Sequence, residues 1–212
     1  MLGHRTRIVA RRGLVIGVAG VVASLLGAGI ASADVGVNQF LSWSGDFPII
    51  GTLDPIVTDT VATIPSPVTV GQVSASFPVS VTIDAPPLAT TGLETVGATS
   101  TSGTADVTVQ STDSAGLTTT ENVHLTIPPT ATPADGSDFV VTATGTATVP
   151  AIATAGNVKL TVLSPASTTL TPVDANGNPT ALGTFTVTLT QDATGPTQNP
   201  TNDPTLGTIV AQ

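Results

Sequence analysis

Strict alternation of apolar and polar residues is the feature that most limits the fold of this chain. From residue 73 to residue 84, each apolar side chain is followed by a polar residue or by Pro78. A period of two places all the apolar side chains on one face of a β-strand. Pro78 has no N–H for a ladder hydrogen bond, so we predict that this strand lies at a sheet edge or bends there.

Four further segments show the same period, and Thr supplies most of their polar face. Thr is β-branched and fits a pleated strand while its hydroxyl faces water. Turn signals at 113–116, 135–137 and 176–177 separate the segments, and only 87–92 hints at helix. We therefore predict an all-β fold, an antiparallel β-sandwich of immunoglobulin-like, Greek-key type. The four segments are residues 122–127, 139–149, 158–162 and 184–190.

The first 33 residues have the pattern of a secretory signal peptide, expected as an N-terminal signal helix. Arg5, Arg7, Arg11 and Arg12 precede an uncharged apolar stretch over residues 13–30. Small residues at 31–33 then provide a cleavage site, so we predict a cut after Ala33 and a secreted or cell-wall location. The alternative is an uncleaved membrane anchor, because about 18 apolar residues are just enough for a span.

The charge of the remaining chain excludes several partners. Beyond residue 33, Lys159 is the one Lys or Arg, whereas all 14 acidic residues lie there. Nucleic acids and anionic lipids need basic side chains to neutralise phosphates, so we predict no nucleic-acid partner. No later apolar run reaches spanning length, so no membrane span is expected after cleavage. A protein or a cell-envelope component is the expected partner, and the oligomeric state stays open.

The rest of the chain divides into three predicted parts. Residues 34–50 form an apolar segment in which Phe40, Trp43 and Phe47 cluster. Such a segment either plugs one end of the sandwich or serves as an exposed arm that docks on a protein or on envelope lipid. Residues 51–190 form the predicted β-sandwich domain. Residues 191–212 are predicted as a flexible Pro- and Thr-rich tail, although 206–210 could return as a last short strand.

The residues that enzymes use for catalysis are scarce here, and we predict a protein that is not an enzyme. The chain has no Cys, which excludes disulfides, thiolate metal sites and Cys nucleophiles. His124 is the one His beyond residue 33, and the alternation places it on the outer face of its strand, with no G-x-S-x-G motif around any Ser. Glu94 and Glu121 could form a glycosidase-type pair, but the chain has few aromatic residues to bind a sugar.

The loop that begins at Asp174 has part of the residue pattern of a calcium site. Asp174, Asn176 and Asn178 have the spacing of the first ligands in an EF-hand loop. However, Pro179 stands where that loop needs Gly, and Phe185 stands where it needs Glu. An Asn-Gly hairpin turn explains the same residues. Asp135 and Asp138 are a weaker alternative, and we predict no metal and no cofactor.

Short patterns of strand and turn residues occur at residues 64–65, 70–72, 92–93, 96–98, 123–128, 170–172, 174–178 and 182–185. Together these stretches resemble a domain-of-unknown-function family of secreted actinobacterial proteins. The resemblance covers about residues 46–189 and implies a β-sandwich module. Members often carry a Cys near each end of the domain, and neither the 44–47 region nor the 185–188 region has one here. The family implies no catalytic residues.

Three functions follow as hypotheses. The first is a non-catalytic secreted or cell-envelope protein with a structural or adhesion role. The second is a binding module for an apolar or lipid ligand, and the third is a hydrolase. A filled core without cavities would favour the first, and a continuous apolar pocket would favour the second. A carboxylate pair or a His–Ser pair in a cleft would favour the third.

Overall fold

The structure is a computed structural model that describes residues 33–134 and 136–212. The predicted signal helix falls on residues outside this range. Strands make up more than half of the described residues, which contain one short helix, and this confirms the all-β prediction. The elements are β1 (Val35–Phe47), β2 (Gly51–Ile64), β3 (Phe77–Ala85), α1 (Pro87–Thr95), β4 (Ser100–Thr112), β5 (Thr118–Ala131), β6 (Phe139–Ala147), β7 (Gly156–Val173), β8 (Phe185–Gln191) and β9 (Thr205–Ala211).

Eight of the strands close into an antiparallel barrel, so the predicted immunoglobulin-like β-sandwich is wrong. Around the barrel the order is β4-β5-β6-β3-β2-β1-β8-β7, and β7 pairs with β4 to complete the ring. Two stacked sheets would each have two free edges. Here each of these eight strands has a paired neighbour on both sides, and the period of two separates an interior from an exterior.

The β4–β7 ladder is what closes the ring. It runs from Ser100 opposite Val173 to Thr112 opposite Lys159, with a shift in register after Asp106. The two backbones come very close at Gly103, where a Cβ would lie 2.0 Å from the carbonyl oxygen of Thr169. Any other residue would force the strands apart at this point, so glycine allows the close pairing that completes the barrel.

One seam of the barrel, between β1 and β7, is shared by two strands. The C-terminal half of β7 pairs with β8, whereas its N-terminal half pairs with β9. β8 pairs with β1 only over residues 43–45 of β1. In the segment that joins β8 to β9, Asn199 and Asn202 instead hydrogen-bond to the β1 backbone at Phe40 and Ser42. The predicted tail of residues 191–212 thus contains this seam and β9.

The antiparallel order gives the barrel two distinct ends. At one end lie α1 and the segments at 48–50, 132–134, 136–138 and 174–184, and we call it the helix end. At the other lie β9 and the segments at 65–76, 113–117 and 148–155, and we call it the β9 end. A core of buried apolar side chains from all nine strands fills much of the space between them.

Candidate functional site: the barrel interior

Two apolar cavities remain inside the barrel, one towards each end. The first, which we call the Trp43 cavity, has a volume of about 100 Å³ and extends towards the β9 end. The second, the Phe47 cavity, has a volume of about 90 Å³ and lies under α1. The Trp43 cavity is lined by residues that include Val37, Leu41, Val81, Val123, Leu125 and Val162. The Phe47 cavity is lined by residues that include Ile50, Leu53, Leu93, Ile127, Phe139 and Phe185.

The two cavities adjoin in the middle of the barrel. Ile83, Ala105 and Leu189 line both of them. Ala105 lies on the ring-closing strand β4, and its side chain is a single methyl group. The two cavities together therefore nearly form one apolar space that runs from α1 towards β9. The side chains of these three residues narrow that space where the cavities meet.

The three aromatic residues singled out in the sequence all lie on β1, in the barrel wall. Trp43 and Phe47 each line one of the cavities. Phe40 lines neither, because it pairs with Asp59 of β2 and is only half-buried. A bulge between Trp43 and Gly45 shifts the alternation. The role of these residues in contacting a partner stays a prediction.

Trp43 is held in a fixed position in the wall. Its side chain is 4% exposed, and its indole Nε1 donates a hydrogen bond to Oγ1 of Thr58, 3.0 Å away. The indole N–H is thereby satisfied, and the ring forms part of an apolar wall. Because the chain has one Trp and no Tyr, its ultraviolet fluorescence reports directly on this cavity.

Two buried hydroxyl groups in these cavities have no hydrogen-bond partner among the described residues. Ser111 lines the Trp43 cavity and Thr101 lines the Phe47 cavity; each is 1% exposed. Both lie on β4, near opposite ends of that strand. A buried hydroxyl without a partner is destabilising by about 1–3 kcal/mol. The sequence did not reveal them, since β4 lacks the long apolar alternation of the other strands.

Glu121 is the one ionisable residue that lines the Trp43 cavity in the described part of the chain. Its carboxylate accepts a hydrogen bond from the Thr148 backbone N–H at 3.1 Å and from the Thr148 hydroxyl at 2.7 Å. Glu94 lies on α1 at the helix end, whereas Glu121 lies near the start of β5 at the β9 end. The two carboxylates considered for glycoside hydrolysis are therefore not brought together.

His124 lies on the outer surface of the barrel. Its Nδ1 is 2.7 Å from Oδ1 of Asp106, the residue opposite on β4, and both side chains are exposed. Ser167 of β7 is opposite Asp106 on its other side. Asp106 on β4 therefore lies between Ser167 on β7 and His124 on β5. Ser167 is two strand spacings, roughly 10 Å, from His124. A serine triad needs the imidazole between the other two groups.

The loop at Asp174 forms a tight turn. The Asp174 carboxylate accepts hydrogen bonds from the backbone N–H groups of Asn176 and Asn178, at 2.8 and 2.9 Å. These bonds to Asn178 and Asn176 lower the pKa of Asp174. In residues 33–134 and 136–212, no three His, Asp or Glu side chains are grouped as metal ligands. Asp135 lies outside the described residues.

Comparison with known proteins places the chain in a family. No helix in the described part of the chain is long and apolar enough to cross a membrane. Neither curated proteins nor solved structures provide a match. A family of unknown function, DUF6801, matches residues 42–207, which include the last six residues of β1, the whole of β2 to β8 and the start of β9. Because this match covers most of the barrel, the chain belongs to the DUF6801 family of unknown function.

Proposed function

We propose that this barrel is a binding module that holds a small apolar molecule in its interior. The observation that carries the proposal is the pair of adjoining apolar cavities, which meet at Ile83, Ala105 and Leu189. Protein interiors normally contain few voids larger than a water molecule. Eight-stranded barrels are wide enough either to be filled by side chains or to hold one small ligand.

The size of the cavities supports this use. An apolar cavity of about 150 Å³ in another protein stays dry and binds benzene. The Trp43 cavity alone, at about 100 Å³, approaches that size. A cavity costs stability at about 24 cal/mol per Å³, so one of this volume costs about 2 kcal/mol. A guest that fills the space restores contacts that the lining side chains lack, which favours binding.

The cavities favour ligand binding over a purely structural or adhesion role, for which a filled core was expected. We also propose that the module acts outside the cytoplasm after a cut at Ala33. The sequence pattern of residues 1–33 supports export, and β1 begins at Val35, so the cut leaves every described strand intact. Sequencing the N-terminus of protein recovered from the medium or wall of the native host tests this, since Asp34 should be first.

Titration with toluene, a small neutral apolar molecule, tests the binding proposal. We expect a saturable change in Trp43 fluorescence. Ala105→Leu places a larger side chain where the two cavities meet and should lower the affinity for toluene at least tenfold. Ala131→Leu is the matched control, because Ala131 is exposed on β5. Toluene binding that fails to saturate, or that is equal in both variants, would contradict an interior site.

A further inference from the structure

We propose that the Trp43 cavity selects a single-chain amphiphile whose polar end is an uncharged hydroxyl, in preference to the corresponding carboxylate. This inference rests on the proposed function and specifies its ligand. The apolar chain would extend towards Ile83, Ala105 and Leu189, where the two cavities adjoin. The hydroxyl would meet Ser111.

Ser111 provides the first argument. Its side chain is 1% exposed in the cavity wall, and its Oγ has no partner among the described residues. Two other hydroxyls that line this cavity differ in this respect. Thr58 accepts from Trp43, and Thr148 donates to Glu121. A ligand hydroxyl can both donate to and accept from a serine, so it would satisfy a group that is otherwise costly to bury.

Glu121 provides the second argument, because it sets the sign of charge that the cavity accepts. Its carboxylate lines the same cavity as Ser111, and no Lys, Arg or His of the described residues does so. Lys159 is exposed on the outside of β7. A bound carboxylate would lose its hydration and face a like charge in a largely apolar space, and both effects are unfavourable. A ligand alcohol avoids both.

The Phe47 cavity offers a contrast within the same molecule. The unpartnered hydroxyl in this cavity belongs to Thr101, and no charged residue of the described chain lines the cavity. A ligand that bound with its polar end there would depend on Thr101 and would be insensitive to Glu121. Thr101 therefore distinguishes the two orientations of a bound chain.

The test compares 1-octanol with octanoate at about pH 8, well above the ordinary pKa range of a carboxyl group. Binding is followed by the fluorescence of Trp43 in the wild-type protein and in Ser111→Ala, Glu121→Gln, Thr101→Val and Ser80→Ala. Ser80 is the control, since it lies on β3 among residues that alternate outward. Ser111→Ala removes an unpartnered hydroxyl, so it should not impair folding.

We expect octanol to bind at least tenfold more tightly than octanoate. Ser111→Ala should weaken octanol binding by roughly three- to tenfold, the usual effect of one hydrogen bond. Glu121→Gln should raise the affinity for octanoate by about threefold or more. Ser80→Ala should leave both affinities unchanged, and Thr101→Val should weaken octanol binding less than Ser111→Ala does. Equal affinities for the two ligands, or a loss of octanol binding in Thr101→Val but not in Ser111→Ala, would overturn the inference.

Failure of this inference is distinguishable from failure of the proposed function. If toluene binds and its binding depends on Ala105, but the alcohol and the carboxylate bind equally, the barrel is a binding module without the proposed selectivity. If toluene and both octyl compounds all fail to bind, the binding function itself is wrong.

Discussion

The indole Nε1 of Trp43 donates a hydrogen bond to Oγ1 of Thr58, 3.0 Å away on the neighbouring strand β2. Thr58→Val keeps the shape of the side chain but leaves this buried N–H without an acceptor. We expect the free energy of unfolding to fall by about 1–3 kcal/mol. Urea unfolding followed by Trp43 fluorescence measures the change. Thr126→Val, at an exposed position of β5, is the control, and equal effects of both substitutions would contradict the role of this bond.

Loss of the Thr101 hydroxyl should raise the stability of the protein, whereas loss of the Thr58 hydroxyl should lower it. The reason is that the Thr101 hydroxyl is buried without a partner in the described residues. Thr101→Val replaces the hydroxyl with a methyl group of similar size in an apolar cavity. We expect the free energy of unfolding to rise by about 1–3 kcal/mol, measured in urea without any ligand. Thr144→Val, exposed on β6, should change it little. A loss of stability in Thr101→Val would mean that the hydroxyl has a partner.

Asn202 joins three backbone groups at the seam between β1 and β7. Its Oδ1 accepts from the N–H of Ser42 at 2.9 Å, and its Nδ2 donates to the carbonyls of Ser42 and Asp192, both at 2.8 Å. Asn202→Ala should lower the free energy of unfolding by about 2–4 kcal/mol, because it removes all three of these hydrogen bonds at a buried residue. Thermal unfolding measures this loss. Asn157→Ala, at an exposed position of β7, should have almost no effect.

The lowered pKa of Asp174 predicts a stability that depends on pH. Backbone N–H groups of Asn178 and Asn176 stabilise its carboxylate, so its folded pKa lies below the unfolded value. The resulting stabilisation is present above the unfolded pKa, about 3.9, and is lost as the pH falls through the folded value. Asp174→Asn should therefore be less stable than wild type near pH 7 and approach it at lower pH. A difference that is constant with pH would contradict this explanation.

The strands and their inward faces were largely predictable from the sequence. The period of two over residues 73–84, 122–127 and 139–149 overlaps β3, β5 and β6, and within these strands the predicted apolar positions are buried or half-buried. The prediction was wrong at the start of the first segment, since Val73 lies before β3 and is 60% exposed. The weak helical signal at 87–92 falls within α1. In these segments the local pattern and the tertiary environment demand the same alternation, so a short stretch of sequence is enough.

The barrel was not predictable, because its closure depends on a strand with little apolar pattern. β4 contains Gly103, Asp106 and several Ser and Thr residues, and two irregularities interrupt its pairing. Alternation separates the two faces of a sheet but does not say whether the last strand meets the first. That depends on the contact between Gly103 and Thr169, which are distant in sequence. The same reasoning explains why Ser111 and Thr101 were missed as interior groups.

The divided seam gives the barrel wall a line of weakness. Among the described strands no backbone ladder joins β1 to β9, and amide side chains such as that of Asn199 bridge part of this gap. Such bridges can break one at a time, whereas a strand ladder opens cooperatively. Local opening should thus need the least free energy at this seam. Amide protons in the first half of β1 should therefore exchange with deuterium sooner than those of β2. A guest molecule would then enter sideways through the wall, between β1 and β9.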